Sequence, residues 1–316
     1  MYARLVSPAL IMVTPDPTIV QLGPFGITWY SLGYVIGLAV MFALTLRELD
    51  RRGMDRQHLW NAFLVVGLFA IIGGRLYHVI HEWDLYSANP IFAILPLSPD
   101  GRVGFAGLGL YGGIVGALIG IVVYGWRSKQ PIRLGLDAVI PGTLFAQGIA
   151  RWGNFFNQEL YGPPTDAPWG IAIDCAHRVA EYPCAQFPFE TTGFHPLFFY
   201  ESALNITGGL IALYLSYRFL RRGLRAGDLA AFWGIWYGAT RLILESFREG
   251  WNWTVGGIAT AQVVSLIFIA VGVAWVAWNH RPGRPPEPTP VDRQRTLQTS
   301  EQPAAQPTSH AGAGDG

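Results

Sequence analysis

The chain has 316 residues, of which 51% are hydrophobic and only 14% charged, with 22 Lys and Arg against 21 Asp and Glu for a formal net charge of +1. Such a chain is too apolar for an ordinary soluble protein of this length, so a bilayer is the expected solvent and no nucleic-acid partner is expected. In a membrane protein the position of each charge carries more information than the total.

The first segment, MYARLVSPALIMV, has a single Arg and a short apolar run broken by Pro8, with no small-residue cleavage site ahead of Pro15 and Pro17. It reads as an external N-terminal arm over 1–26, lying on the membrane surface, and not as a signal peptide. Apolar runs follow at 27–46, 59–80, 104–125, 136–156, 196–218, 226–246 and 256–278. Each approaches the roughly 20 residues a helix needs to cross the hydrocarbon core. The expected fold is an all-α integral membrane protein with a bundle of about seven transmembrane helices over 27–280. Pro141, Gly142, Gln147 and Arg151 interrupt the fourth run, which is tolerated where such residues face protein. The run Pro90 to Leu97 is too short to span and reads as interfacial or re-entrant.

Arg47, Arg51, Arg52 and Arg56 follow the first run, Arg127, Lys129 and Arg133 the third, and Arg218, Arg221, Arg222 and Arg225 the fifth. These loops, with the tail carrying Arg281 and Arg284, are expected in the cytoplasm by the positive-inside rule, which puts the N-terminus outside and the C-terminus inside. An external loop is then expected at 157–195. It holds the only cysteines, Cys175 and Cys184, which an oxidising compartment could join or leave as two free thiols. Residues 281–316, rich in Pro, Gln, Thr, Ala and Gly, read as a disordered cytoplasmic tail.

Polar side chains inside the apolar runs are costly and either pair structurally or serve a function. Arg75 and His78 fall late in the second run, Arg151, Asn154 and Asn157 at the end of the fourth, and Tyr237, Arg241 and Glu245 in the second half of the sixth. With the orientation above these ends point outward, and Tyr30, Tyr111, His195, Tyr200 and Glu201 are expected at the same level. No comparable cytoplasmic set is expected beyond Asp137. Three arginines in one outer layer suit an anionic headgroup, because a guanidinium offers paired donors and keeps its charge; Arg75 reads equally as a structural or snorkelling residue. Tyr237, Arg241, Glu245 and Arg248 recur at helical spacing as one stripe, and Arg241 and Glu245 can pair. Gly112, Gly116 and Gly120, four apart, read as a close helix contact. Trp29, Trp83, Trp251 and Trp253 read as interface anchors.

Other chemistries lack their signatures. His81 and Glu82 begin an HExxH pattern, but Leu85 stands at the second His position, and no GxSxG elbow occurs. A transporter would use a polar layer too, yet no internal repeat is evident.

The segment Arg151 to Gly162, RWGNFFNQELYG, resembles the signature of the prolipoprotein diacylglyceryl transferase family, near GRxGNFxNxExxG. It carries over Arg151, Asn154, Asn157, Glu159 and Gly162, with Ala150 where the family often has Gly. Gly23, Pro24, Trp29 and Tyr30 resemble the family's first-span opening, and Gly74, Arg75 and Leu76 its second span. His195, Pro196, Tyr200 and Glu201 are similar to its HPxxxYE segment; Tyr237, Gly238, Arg241, Glu245 and Arg248 to its YGxxRxxxExxR stripe. The resemblance implies that phosphatidylglycerol donates its diacylglyceryl group to the lipobox cysteine in the signal peptide of a preprolipoprotein, with no metal or organic cofactor. It also implies a bacterial inner-membrane location with the site toward the outer leaflet. Arg151 and Arg241 would bind the phosphate, with Asn154, Tyr30 and Glu245 orienting the headgroup and neighbouring side chains. Tyr111 stands where many members have a His, so the general base is open among Tyr111, His195, Glu245 and the leaving phosphate.

Overall fold

The structure is a computed structural model and describes residues 11–12, 15–22, 25–87, 90–91, 109–220, 223–247, 254–255 and 257–284. The end of the Pro90 to Leu97 run, Arg248, Gly23, Pro24, Trp251, Trp253 and nearly all of the tail lie outside the described residues.

A short antiparallel hairpin, β1 (Thr18–Leu22) with β2 (Phe25–Thr28), leads straight into α1 (Trp29–Arg52). Thr28 caps that helix: Ser31 N donates to Thr28 Oγ1 at 3.1 Å while Thr28 N donates to Ser31 Oγ at 3.1 Å. The exchange fills donors that a helix start leaves free. Gly53 ends α1 in the left-handed region, at φ 64°, where a residue without Cβ carries no steric cost. In chain order follow α2 (Gln57–His81), the one-turn α3 (Trp83–Tyr86), α4 (Leu110–Ser128), α5 (Ile132–Ala150), α6 (Trp152–Phe156), α7 (Leu197–Phe219), α8 (Asp228–Glu245) and α9 (Thr260–Asn279). Two-residue strands pair as β3 (Pro164–Thr165) with β4 (Gly193–Phe194), and as β5 (Thr254–Val255) with β6 (Ile258–Ala259).

The molecule is therefore mostly helical, in line with the expected helical class, and its small sheets give partners to backbone groups where chain leaves a helix end. Helices of 18 to 25 residues overlie the seven apolar runs. By length and composition three described helices, Trp29–Arg52, Gln57–His81 and Thr260–Asn279, are apolar enough to cross a membrane. The fourth run is not one helix to 156: it begins at Ile132 and breaks at Arg151 into α5 and α6. Pro141 stays inside α5, buried.

The long helices pack through glycines. A Cβ on Gly142 would lie 2.7 Å from Met41 O of α1, one on Gly148 2.8 Å from Ile206 of α7, and one on Gly238 2.6 Å from Ser265 O of α9. These contacts, with Trp236 Nε1 donating to Leu204 O at 3.1 Å, unite α1, α5, α7, α8 and α9. The pair α2 and α4 is zipped by the expected Gly series: a Cβ on Gly112 would lie 2.2 Å from Gly73 O, and one on Gly116 2.1 Å from Phe69 O. Among the described residues this pair meets the rest of the bundle sparsely, at places such as Phe42 against Trp60 and Phe63, with ring centroids 4.9 Å apart in both cases. An apolar cavity of about 310 Å³ lies between the two groups, walled by residues such as Met41, Phe63, Val66 and Val139.

The end of the bundle that carries the Arg-rich loops, the basic end, holds buried polar groups that were not expected beyond Asp137. Glu48 accepts from Arg51 Nη1 at 2.7 Å and makes closer contacts with Arg52 and Ser216. Arg52 belongs to the buried end of α1, not to a solvated loop. Asp137 of α5 accepts from Gly227 N at 2.8 Å and Ala230 N at 3.0 Å, filling donors at the start of α8. Asp228 accepts from Asn279 Nδ2 at 2.8 Å and Arg225 N at 2.6 Å and pairs with His280 at 2.7 Å.

Candidate active site

At the opposite end, α5 stops at Ala150 and Arg151 forms the junction with the short α6. Past α6 the backbone reverses through two non-glycine residues in the left-handed region, Gln158 at φ 51° and Leu160 at φ 59°. Such conformations are uncommon and persist where surrounding contacts fix them. The reversal sends neighbouring side chains in opposite directions. Glu159 turns back, its Oε1 accepting from Asn154 Nδ2 at 2.8 Å and Asn157 Nδ2 at 3.2 Å. Gln158 turns away, its Oε1 accepting from Asp174 N at 2.8 Å, which ties the segment to the long loop. Gly162 N donates to His195 O at 2.9 Å, and a Cβ there would lie 3.0 Å from Phe247 O.

From α7, the buried carboxylate of Glu201 reaches Arg151 Nη2 at 2.7 Å and lies 4.0 Å from Arg241 Nη1 of α8. Arg241 Nη2 in turn donates to Glu245 Oε2 at 3.0 Å. One carboxylate thus couples guanidiniums that come from two different helices. Each guanidinium has five donors, so both keep unused N–H groups after these contacts.

Those donors border a cavity of about 520 Å³. Tyr30, Arg151, Tyr237 and Arg241 line its helical side, and Asn154, Glu159 and Gly162 belong to the signature segment. Tyr30 packs against the backbone of Gly153, where no Cβ would fit. The long loop supplies Tyr161, His177, Val179 and Tyr182. That roof is held by Tyr161 OH, which accepts from Val179 N at 2.7 Å and donates to His177 O at 3.3 Å. Burial pushes the Tyr161 phenol above its ordinary value, so it stays neutral. Arg178 Nε donates to Ile173 O at 2.8 Å. Of the two alternatives for Cys175 and Cys184 the disulfide is present, closing the strap that carries His177, Val179 and Tyr182.

The polar layer is not saturated. Among the described residues Asn154 Oδ1 and Glu245 Oε1 are buried acceptors with no donor, a state that costs about 1–3 kcal/mol for each such group. The arrangement can hold an anion against two guanidiniums.

Not every expected residue is at this cavity. Tyr111 is 66% exposed on α4 and faces Tyr77 at 6.1 Å between ring centroids. The Arg75 guanidinium lies over the Tyr86 ring at 5.2 Å. Both belong to the α2/α4 pair, and neither lines the cavity. His195 supports from behind, its Nδ1 paired with Tyr200 OH at 3.0 Å and its ring against Phe247 at 5.7 Å. Arg248 lies outside the described residues. Sequence reasoning placed Glu201 at the right level without making it a site residue, and passed over Gln158 and the roof. The cysteine pair bracketing His177 was the one available signal for the roof.

A profile described as prolipoprotein diacylglyceryl transferase matches residues 17–278. A phosphatidylglycerol–prolipoprotein diacylglyceryl transferase of Chloroflexus aggregans is 36% identical over 303 residues, covering 90% of this chain and 96% of its own. Proteins of the same name from Synechococcus elongatus, 33% identical over 274 residues, and Streptococcus pneumoniae, 34% over 272, each cover 85% of this chain and 89% and 96% of their own.

Proposed function

The chain belongs to the prolipoprotein diacylglyceryl transferase family, and from that premise we propose that it moves the diacylglyceryl group of phosphatidylglycerol onto the lipobox cysteine of prolipoproteins, the first step of lipoprotein maturation. The observation that carries this reading is the convergence of Arg151 and Arg241, coupled through Glu201, on one cavity. In the reaction the cysteine sulfur forms a C–S bond to the terminal carbon of the diacylglyceryl group as that carbon's C–O bond to phosphate breaks. The electron pair leaves with the phosphate oxygen, and the thiol proton departs with glycerol phosphate or to solvent. Arg151 and Arg241 stabilise the charge that gathers on the leaving phosphate. Tyr30 and Tyr237 wall the headgroup in, Asn157 and Glu159 fix Asn154, and the roof limits water. Of the groups considered as base, Glu245 is the one placed beside a phosphate-binding arginine.

The reading extends to topology: about seven spans in the bacterial inner membrane, the cavity end toward the outer leaflet, the N-terminus outside and the basic end in the cytoplasm. The run of basic loops supports this orientation. A cysteine placed at Thr18 in a Cys175→Ser, Cys184→Ser background should react with an impermeant maleimide in intact spheroplasts, and one at Arg284 only after permeabilisation; the reverse pattern would overturn the orientation.

The activity is tested by mass spectrometry of a lipobox peptide incubated with purified protein and phosphatidylglycerol. The expected result is a diacylglyceryl mass on the cysteine, lost in Arg151→Ala and Arg241→Ala. No adduct from folded protein with several anionic lipids would return the cavity to a lipid-binding or transport role.

A further inference from the structure

We propose that the apolar cavity between α1, α2, α4 and α5 is a lipid site of its own: it takes one acyl chain of an anionic phospholipid from the leaflet at the basic end, away from Arg151 and Arg241. The inference stands apart from the transferase reading. Along α2 the wall runs from His58 to Ala70, about 18 Å at about 1.5 Å per residue. It begins at the basic end, where Met54 follows α1 and where Gln130 and Pro131 join α4 to α5. That length is close to one leaflet of a hydrocarbon core about 30 Å thick. Two glycines keep the space open. A glycine inside a helix is destabilising relative to alanine, and those at Gly73, Gly116, Gly142 and Gly238 offset this by letting helix backbones approach closely. Gly67 of α2 and Gly135 of α5 do not: among the described residues, a Cβ on either would meet nothing within 4 Å. Both belong to the cavity wall, one from each of the two helix groups.

The wall selects its occupant. Met41, Phe63, Val66, Ile121, Leu136 and Val139 are apolar. The polar side chains among them already have partners: His58 Nδ1 pairs with Tyr124 OH at 2.7 Å, Thr45 Oγ1 donates to Met41 O at 2.7 Å, and Gln130 Nε2 donates to Ser128 O at 3.5 Å. An ordered water needs about two to four polar partners, so water does not suit this wall. A peptide helix is about 10–12 Å across with its side chains, and a volume of about 310 Å³ drawn out along α2 leaves no such width. A hydrocarbon chain needs neither polar partners nor width, and it restores the contacts that an empty apolar cavity denies its lining atoms. The headgroup of that chain then lies beside the α4–α5 connection, where Arg127 and Lys129 are exposed. Basic residues at a membrane surface favour anionic lipid, by about fivefold in affinity for each.

The test uses the full chain in nanodiscs with a phosphatidylglycerol that carries a photoactivatable diazirine at the middle of one acyl chain, a position that a lipid held at the opposite end cannot bring to this wall. Peptide mapping after illumination should find adducts on 58–70 and 130–139. They should be lost in Gly67→Leu and Gly135→Leu, whose side chains fill the space of the chain, while adducts on the exposed Leu266 and Ile267 of α9 stay unchanged. Unlabelled phosphatidylglycerol should compete for the wall about fivefold or more better than phosphatidylcholine with the same chains. Equal wall labelling in wild type and both variants would mean bulk lipid only and would overturn the site; equal competition by the two lipids would overturn its anionic preference. If neither variant folds, a wild-type titration decides: labelling that saturates at the wall while α9 labels in proportion to added lipid supports the site, and proportional labelling at both overturns it.

Discussion

Both ends of the bundle bury charges, yet they use them differently. At the basic end the carboxylates are filled: Glu48 by Arg51, Arg52 and Ser216, Asp137 by two backbone N–H groups, and Asp228 by Asn279, His280 and Arg225 N. At the other end Glu201 and Glu245 engage Arg151 and Arg241, the arginines border a cavity, and among the described residues Asn154 Oδ1 and Glu245 Oε1 have no donor. Burial of a charge in lipid therefore does not by itself mark the working site. Arg52 Nε also lacks a partner among the described residues, so an unfilled buried atom does not separate the ends; the cavity bordered by Arg151 and Arg241 does.

The comparison predicts opposite readouts at the two ends. Glu48→Ala should cost about 3–5 kcal/mol by leaving Arg52 buried and unpaired, seen as a lower midpoint in thermal unfolding followed by tryptophan fluorescence in detergent; an unchanged midpoint would break the comparison. Arg151→Ala should lower transfer by about a hundredfold to a thousandfold, measured as initial rate of peptide adduct, with a smaller effect on the midpoint because Glu201 keeps Arg241 at 4.0 Å. Gly116→Ala should destabilise by about 1–3 kcal/mol, because its Cβ would meet Phe69 O; the same unfolding assay reads it. Tyr111→Phe, on an exposed phenol away from the cavity, should change either readout by no more than about 0.5 kcal/mol. A large loss of transfer there would bring the α2/α4 pair into the chemistry.

Arg151, Arg241, Asn154 and Glu245 were legible because polar residues in an apolar run demand a reason. Lateral arrangement was not: hydropathy gives the level of Tyr111 and Arg75 in the bundle but not the neighbours they face, and both lie on the α2/α4 pair. The α1 boundary misled in a different way. Arg51 and Arg52 read as loop charges, yet α1 extends to Arg52, which is buried against Glu48 and Ser216. The roof had no periodicity to read, since its shape comes from left-handed turns at Gln158 and Leu160, hydrogen bonds from Gln158 and Tyr161, and the cysteine crosslink. The break at Arg151 was visible only as an interruption, although it is what lets Asn154 and Glu159 face each other.

The glycine zipper of α2 and α4 has a mechanical side. Two helices whose backbones approach this closely at Gly73, Gly112 and Gly116 have no side-chain layer between them to shear, so a displacement of one carries the other. With 25 residues in α2, the lever arm is about 37 Å, so a tilt of about 5° displaces the far tip by about 3 Å. A tilt of that size moves the described ends of α2 and α4 together, without any change in the packing between them.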